Sequence, residues 1–186
     1  MLSRFLKLTF ATIVILAVAS QTRGSELFVG AACADITPEE PAALSGQFHL
    51  RISTGIETPL SANVIVVESR DGDNSQEVAV MVACDTVGIP NSVLELIRQE
   101  VAKRVGDLPV DKIFVGATHT HTAPELRLGK WILPDDGVVS VERYRQFFAE
   151  RVADAIAAAW TGRSQGSMTW GLSHAAVAYN RRAVYA

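Results

Sequence analysis

Residues 77–84 read EVAVMVAC and residues 112–118 read KIFVGAT. Both are short apolar runs rich in β-branched residues, a composition that predicts strands. Between them a Ser92–Glu95 capping box is expected to begin a helix that continues until Gly106. The helical spacing is carried by Val93, Leu94, Ile97, Val101 and Val105. The order strand, helix, strand predicts a βαβ unit with parallel strands and a right-handed crossover.

Two more strands are predicted before this unit. Residues 62–68 (ANVIVVE) are separated from residues 77–84 by the turn-forming cluster DGDNS at 71–75, so the two runs should pair as a hairpin. Leu27–Ile36 is an earlier strand that ends before Pro38, because proline cannot donate to a strand ladder. Residues 41–59 show no periodicity and are expected to be an irregular loop.

A second helix is predicted after the βαβ unit, with Ser140 as its N-cap and Gly162 just past its end. Its apolar stripe consists of Tyr144, Phe147, Phe148, Val152, Ile156 and Trp160. Ser167–Leu172 and Ala175–Tyr179 are predicted as short strands. The expected fold class is therefore α/β, with a mixed sheet in which a β-hairpin leads into a right-handed βαβ unit and a second helix packs on it.

Composition indicates one globular domain without a nucleic-acid-binding surface. The 186 residues are 48% hydrophobic and 20% charged, and the formal net charge is −3. A chain of this length buries enough surface for a single core. Because there is no basic run to neutralise phosphates, nucleic acid is excluded as a partner.

The first 19 residues resemble a secretory signal peptide. Arg4 and Lys7 precede an apolar run over 8–18, and Ala17-Val18-Ala19 has the small residues that a signal peptidase requires. The alternative is a retained membrane anchor, but the run is short for a span of about 20 residues. We expect cleavage after Ala19, or as late as residue 24, and export to the periplasm or the extracellular space. The domain itself is expected to occupy residues 26–186.

Cys33 and Cys84 are the two cysteines, and each lies in an apolar, strand-like run. Neither belongs to a CxxC motif or a Cys/His ligand spacing. Two alternatives remain open from the sequence: a pair of free, buried thiols, or a disulfide, which requires Cα atoms within about 7 Å.

The segment 118–124, THTHTAP, is the strongest candidate for a functional site. In extended backbone, the imidazoles of His119 and His121 would project from the same face, where they could meet one metal ion or one ligand. Both follow the carboxyl end of a parallel strand, where α/β sheets form binding crevices. The alternative is a pair of hydrogen-bonded histidines at a strand end. Asp85 closes the neighbouring strand and could orient a histidine or act as a turn-forming cap.

Several segments, in this order, resemble the neutral/alkaline (non-lysosomal) ceramidase family, in particular the N-terminal part of its catalytic domain. Residues 29–38 (VGAACADITP) resemble the family's VGxxxxDIT opening, and residues 118–124 match its THTHSGP signature except at Thr122 and Ala123. The remaining landmarks are Leu44-Ser45-Gly46, Arg51, Gly55, the strand over 64–68, residues 82–85 (VACD) and residues 179–182 (YNRR). The resemblance covers nearly all of the chain after the signal peptide.

The resemblance implies a zinc-dependent amidohydrolase, a hydrolase of sphingolipid metabolism that cleaves the N-acyl amide of ceramide or a related lipid amide. By position in the motif, His119 would be a zinc ligand and His121 an assisting catalytic group. Zinc held by neutral imidazole supplies both a Lewis acid and an activated water. The implied partner is a lipid-like amide substrate, with peripheral membrane contact as an open alternative; the sequence leaves the oligomeric state open.

The resemblance also implies that the site is incomplete within this chain. In the family a second histidine, a glutamate and a tyrosine complete the zinc site, and they follow the NR segment that residues 179–182 resemble. We therefore expect the N-terminal portion of a larger catalytic domain, truncated at its C-terminus and inactive as the 186-residue chain alone. The alternative is a non-catalytic secreted binding or vestigial domain on the same scaffold.

Overall fold

The structure is a computed structural model that describes residues 25–177. The predicted signal peptide and the YNRR segment lie outside these residues. The described residues form strands β1 (Glu26–Asp35), β2 (Ser61–Asp71), β3 (Asn74–Cys84), β4 (Ile113–Ala117) and β5 (Ser164–Gly166), and helices α1 (Asn91–Arg104) and α2 (Val141–Thr161). A short 3-10 helix at Val110–Lys112 leads into β4.

The strands form one mixed sheet in the order β4-β3-β2-β1-β5. The pairs β1–β2, β1–β5 and β2–β3 are antiparallel. The pair β3–β4 is parallel, and its two strands are joined through α1. The β2–β3 hairpin turns at Gly72, whose positive φ of 59° suits a tight turn between twisted strands. These observations confirm the predicted α/β class, the hairpin and the parallel strand pair of the βαβ unit.

Both helices cover the same face of the sheet. Alternate strand residues such as Val64, Val66, Val80 and Val82 point into a core that they share with Ile97 of α1 and with Phe148 and Ile156 of α2. The period-2 pattern of the strands and the helical stripes meet in one buried layer, as expected for sheet–helix packing.

α2 lies directly against β1 at Gly30. A Cβ atom at this glycine would be 1.9 Å from the carbonyl oxygen of Ala159. The close approach of helix and strand backbone therefore requires glycine at this position of the VGAACADITP segment.

The caps of α2 are as predicted, but the capping box of α1 is wrong. The Ser140 hydroxyl accepts from Arg143 N at 3.2 Å, and Gly162 is the C-cap residue. α1 begins at Asn91 after Pro90, with no side-chain cap. Ser92 lies inside the first turn, where its hydroxyl accepts from Arg145 Nη2 at 2.8 Å, so it is used for packing α1 on α2.

The predicted strand Ser167–Leu172 is also wrong. β5 is shorter and lies earlier, because its pairing places Val29 opposite Ser164 and Leu27 opposite Gly166. β1 begins at Glu26 and Leu27 is opposite Gly166, so residues after 167 lie beyond the start of β1 and have no β1 partner. Of the predicted strand Ala175–Tyr179, residues 175–177 are not in a strand, and residues 178–179 lie outside the described part of the chain.

The two cysteines are free, so the disulfide alternative is not formed. Cys84 is buried, but Cys33 is exposed, so the expectation of two buried thiols is wrong at Cys33, which lies on the open face of the sheet. β2 lies between their strands, since Cys33 is opposite Asn63 and Cys84 is opposite Ala62. Two strand spacings amount to about 10 Å, too far for a disulfide. Burial raises the pKa of Cys84 to about 12.

No helix within residues 25–177 has both the length and the apolar character that a membrane crossing requires.

Candidate functional site

The histidine motif follows the carboxyl ends of the two parallel strands, as predicted. β4 ends at Ala117, and the backbone N–H of Thr118 donates to the carbonyl oxygen of Cys84, the last residue of β3, at 3.0 Å. The segment carrying His119 and His121 therefore leaves the sheet at the edge where the βαβ unit ends.

The two imidazoles are close together, but the backbone geometry that was expected to bring them together is wrong. His119 has a φ of +64°, in the left-handed region, so the segment is not extended. A turn after β4 places the ring centroids of His119 and His121 5.0 Å apart, with an angle of 72° between the ring planes. A non-glycine residue in this conformation costs about 1–3 kcal/mol and is typical of functional sites.

The ring of His119 has a defined tautomer. Its Nδ1 lies 2.7 Å from the carbonyl oxygen of Val87. Since a carbonyl oxygen carries no proton, Nδ1–H is the donor, and the neutral ring has its lone pair on Nε2. This arrangement, in which one ring nitrogen donates to a carbonyl and the other stays free, is typical of metal-binding histidines.

His121 packs against the glycine of the Leu44-Ser45-Gly46 segment. Gly46 has a φ of +76°, and a Cβ atom there would lie 2.6–2.9 Å from three atoms of the His121 ring. The side-chain amide of Gln47 donates to the carbonyl oxygen of His121 at 2.9 Å. The ring and the backbone of His121 are therefore both in contact with the loop that precedes β2.

The loop predicted to be irregular is paired with the histidine segment. Leu44 forms an isolated antiparallel bridge with Pro124. Ser45 N donates to Ala123 O at 2.9 Å, and Glu125 N donates to Ala43 O at 2.8 Å. The sequence showed no period here because the pairing joins single residues that are about 80 positions apart.

Glu125 is a buried carboxylate that the sequence analysis did not identify. Its side chain is 1% exposed. The donors are Ser45 Oγ at 3.1 Å, Leu126 N at 3.1 Å, Arg127 N at 3.0 Å, Arg127 Nε and Nη2 at 2.9 Å each, and Lys130 Nζ at 3.1 Å. Burial alone would raise the pKa of a carboxyl, but the hydrogen bonds from Arg127 and Lys130 hold the pKa of Glu125 at about 2.

Asp85 does not orient either histidine. Its carboxylate accepts from Ser61 N at 2.9 Å, Ser61 Oγ at 2.8 Å and Thr118 Oγ1 at 3.1 Å. Although burial opposes ionisation, these hydrogen bonds lower the pKa of Asp85. Asp85 ties the start of β2 to the end of β4, which is the capping role that the sequence left open.

The donor chemistry at this edge of the sheet fits zinc, but the number of ligands is too small. Among residues 25–177, no group of three or more His, Cys, Asp or Glu side chains is placed to hold a metal ion. His119 offers a free Nε2 and has His121 beside it. Catalytic zinc sites use three protein ligands and an open position.

A cleft of about 670 Å³ adjoins the motif on the side of the loop before β2. Thr120 and Thr122 of the motif line it together with Asp85. Its apolar lining includes Pro38, Pro41, Leu44, Ile52, Ile56 and Leu60. Polar and charged side chains, among them Glu39, Glu40 and Arg51, complete the lining. The cleft therefore offers apolar side chains within a mixed surface beside the histidine motif.

Comparison with solved structures shows that the chain has a ceramidase-like fold, and specifically the fold of one part of such a protein. One match is neutral ceramidase from Pseudomonas aeruginosa, at a TM-score of 0.61 and 19% identity, covering 77% of this chain and 23% of that chain. Another is a ceramidase complexed with C2, at a TM-score of 0.58 and 19% identity, covering 77% of this chain and 22% of that chain. The chain thus matches less than a quarter of the length of either protein. No family model and no curated protein matches the sequence.

Proposed function

We propose that this chain is the N-terminal portion of an exported, zinc-dependent amidohydrolase that cleaves the N-acyl amide of ceramide or a related lipid amide. The observation that carries the proposal is the ring of His119. It lies at the carboxyl end of β4 in a ceramidase-like fold, and its hydrogen bond to Val87 leaves Nε2 free to bind a metal.

In this proposal His119 holds zinc through Nε2, together with ligands from outside residues 25–177. Zinc held there would supply a Lewis acid for the amide carbonyl and a water molecule of lowered pKa. His121, whose ring centroid is 5.0 Å from that of His119, is close enough to hold or transfer a proton through a ring nitrogen. Val87 keeps the proton of His119 on Nδ1, and Asp85 keeps Thr118 at the end of β3.

The proposed substrate class is supported by the cleft beside the motif. Its apolar side chains suit an acyl chain, and Thr120 and Thr122 place the cleft next to the histidines. Phe48 and Ile56, on the loop before β2, are exposed and are the apolar side chains that we assign to peripheral contact with a lipid surface.

Two parts of the proposal rest on the sequence. Export rests on the predicted signal peptide over residues 1–19. We expect the 186-residue chain alone to be inactive, because the imidazoles of His119 and His121 would bind zinc only weakly without further ligands. No observation favours the alternative of a non-catalytic binding domain on the same scaffold.

The proposal is tested with His119→Ala in the full-length protein. Because the variant lacks the Nε2 ligand, we expect it to lose bound zinc and to hydrolyse an N-acyl amide of a long-chain amino alcohol roughly 100-fold or more slowly. Metal content is measured by mass spectrometry of the purified protein and hydrolysis by release of the fatty acid. The control is His174→Ala, which replaces an exposed histidine beyond β5 and should keep both the bound zinc and the hydrolytic activity. Normal zinc content and activity in His119→Ala would contradict the proposal.

A further inference from the structure

We propose that Glu125 and Gly46 are positioning residues for His121: Glu125 holds Ser45, and the neighbouring Gly46 fixes where the imidazole lies. The role in a reaction rests on the proposed function, since it assumes that His121 works beside His119. The positioning itself is a property of the described residues and is testable without metal or substrate.

Three consecutive residues carry the connection from Glu125 to His121. Ser45 Oγ donates to Glu125 Oε2 at 3.1 Å. Gly46 presents its Cα, without a side chain, to the His121 ring. Gln47 Nε2 donates to the carbonyl oxygen of His121 at 2.9 Å. The segment 45–47 therefore contacts the buried carboxylate at one end and both parts of the histidine at the other.

Burying the carboxylate of Glu125 has a free-energy cost that a surface residue or a simple turn would not carry. A buried carboxylate is destabilising unless hydrogen bonds or ion pairs satisfy its oxygens, and here Arg127, Lys130 and Ser45 do so. Arg127 and Lys130 belong to the same segment as Glu125, whereas Ser45 is 80 positions away in the sequence. The contact with Ser45 is the part of the network that joins two loops.

The arrangement restricts the ring of His121. The backbone hydrogen bonds from Ser45 N to Ala123 O and from Glu125 N to Ala43 O hold the loops in register on both sides. Because a Cβ atom at Gly46 would lie only 2.6–2.9 Å from three atoms of the ring, a shift of the loop backbone changes the space open to the imidazole. Displacements of about 1 Å at a catalytic group can reduce a rate 100-fold, so such a restriction matters for chemistry.

The first test compares two buried carboxylates. Glu125→Gln removes the charge that holds Ser45, and Glu100→Gln is the matched control, since Glu100 is also buried and is bound by Lys103 and Arg104 on α1. The measurement is the rate at which diethyl pyrocarbonate modifies His121 in metal-free full-length protein, followed by peptide mass spectrometry and normalised to His174 in the same molecule. We expect a several-fold faster rate at His121 in Glu125→Gln and no change in Glu100→Gln.

The second test compares two glycines of the same backbone conformation. Gly46 and Gly137 have φ values of +76° and +70°, but only at Gly46 would a Cβ atom meet another group. Gly46→Ala and Gly137→Ala thus carry the same backbone cost, and only Gly46→Ala should push the His121 ring away. We expect faster modification of His121 in Gly46→Ala alone.

The outcomes separate this inference from the proposed function. Unchanged His121 reactivity in both Glu125→Gln and Gly46→Ala would overturn it, and so would an equal change in Glu100→Gln. If Glu125→Gln does not fold, Ser45→Ala removes only the hydroxyl donor and gives the same comparison. Changed His121 reactivity in variants of a protein that neither binds zinc nor hydrolyses lipid amides would support the positioning and refute the proposed function.

Discussion

At the scale of single residues, His119 combines an unfavourable backbone conformation with a well-defined ring. Its φ of +64° lies in a region that glycine adopts readily and that other residues adopt at a cost. In this conformation the ring of His119 is oriented by its hydrogen bond to the carbonyl oxygen of Val87. Non-glycine residues in strained backbone conformations cluster at functional sites, so the strain at His119 favours a functional role for this residue over a purely structural one.

The strain is measurable by comparing His119→Gly with His119→Ala. Both variants lose the ring, so the difference between their free energies of unfolding reflects the backbone. We expect the glycine variant to be more stable by about 1 kcal/mol, the reverse of the usual order. Thr118→Gly and Thr118→Ala are the control pair, because Thr118 has no positive φ and alanine should be the more stable there. Denaturant unfolding gives the free energy of unfolding of all four variants. If His119→Ala is as stable as His119→Gly, the backbone at this position is not strained.

At the scale of secondary-structure elements, the approach of α2 to β1 determines how closely the helix layer covers the sheet. Gly30 is the contact point with Ala159 of α2, and α2 also buries Ala153 and Ile156 in the core. Small residues at such a contact let the helix and strand backbones approach.

Gly30→Ala should therefore destabilise the protein by about 3 kcal/mol, at the upper end of overpacking effects, because its Cβ would be 1.9 Å from a carbonyl oxygen of α2. Gly116→Ala is a matched change in β4, where the nearest atom to a new Cβ is 3.8 Å away. We expect it to alter stability by less than about 0.5 kcal/mol. Thermal unfolding of the two variants is the measurement; similar melting temperatures would mean that α2 can move away from the strand at little cost.

At the scale of the whole molecule, the two faces of the sheet differ in what covers them. One face is buried under the helices, whereas Ile65, Met81 and Phe114 on the other face are 46–60% exposed. They lie side by side on β2, β3 and β4, since Ile65 is opposite Met81 and Met81 is opposite Phe114. A contiguous apolar row of this kind promotes association when it is open to solvent.

Phe114→Thr should reduce self-association of the 186-residue chain and leave its stability nearly unchanged, because it removes apolar surface from the open face. The same substitution at the neighbouring residue, Ile113→Thr, should cost about 2–5 kcal/mol, because Ile113 is 1% exposed in the core. Light scattering measures association and denaturant unfolding measures stability. Equal scattering by the Phe114 variant and the unchanged chain would show that this face does not drive association.

Most of the secondary structure and the position of the candidate site could be predicted from local sequence patterns. Strands and helices follow from local periodicity, so the β2–β3 hairpin, the strands on either side of α1 and the caps of α2 were predictable. The order strand, helix, strand also placed His119 and His121 at the carboxyl edge of the sheet. The strand predicted at Ser167–Leu172 failed because a strand needs a partner, and nearly all of that segment lies beyond Glu26, where β1 begins.

The contacts that shape the site form only in the folded chain. Two of these contacts, His121 with Gly46 and Glu125 with Ser45, join residues that are roughly 75 to 80 positions apart. The turn at His119 depends on a single unusual φ. No local pattern encodes such contacts, because the free energy of each comes from groups that meet only after the sheet and loops have formed. The closeness of Gly30 to α2 has the same origin: a strand residue and a helix residue far apart in sequence share one surface in the folded chain.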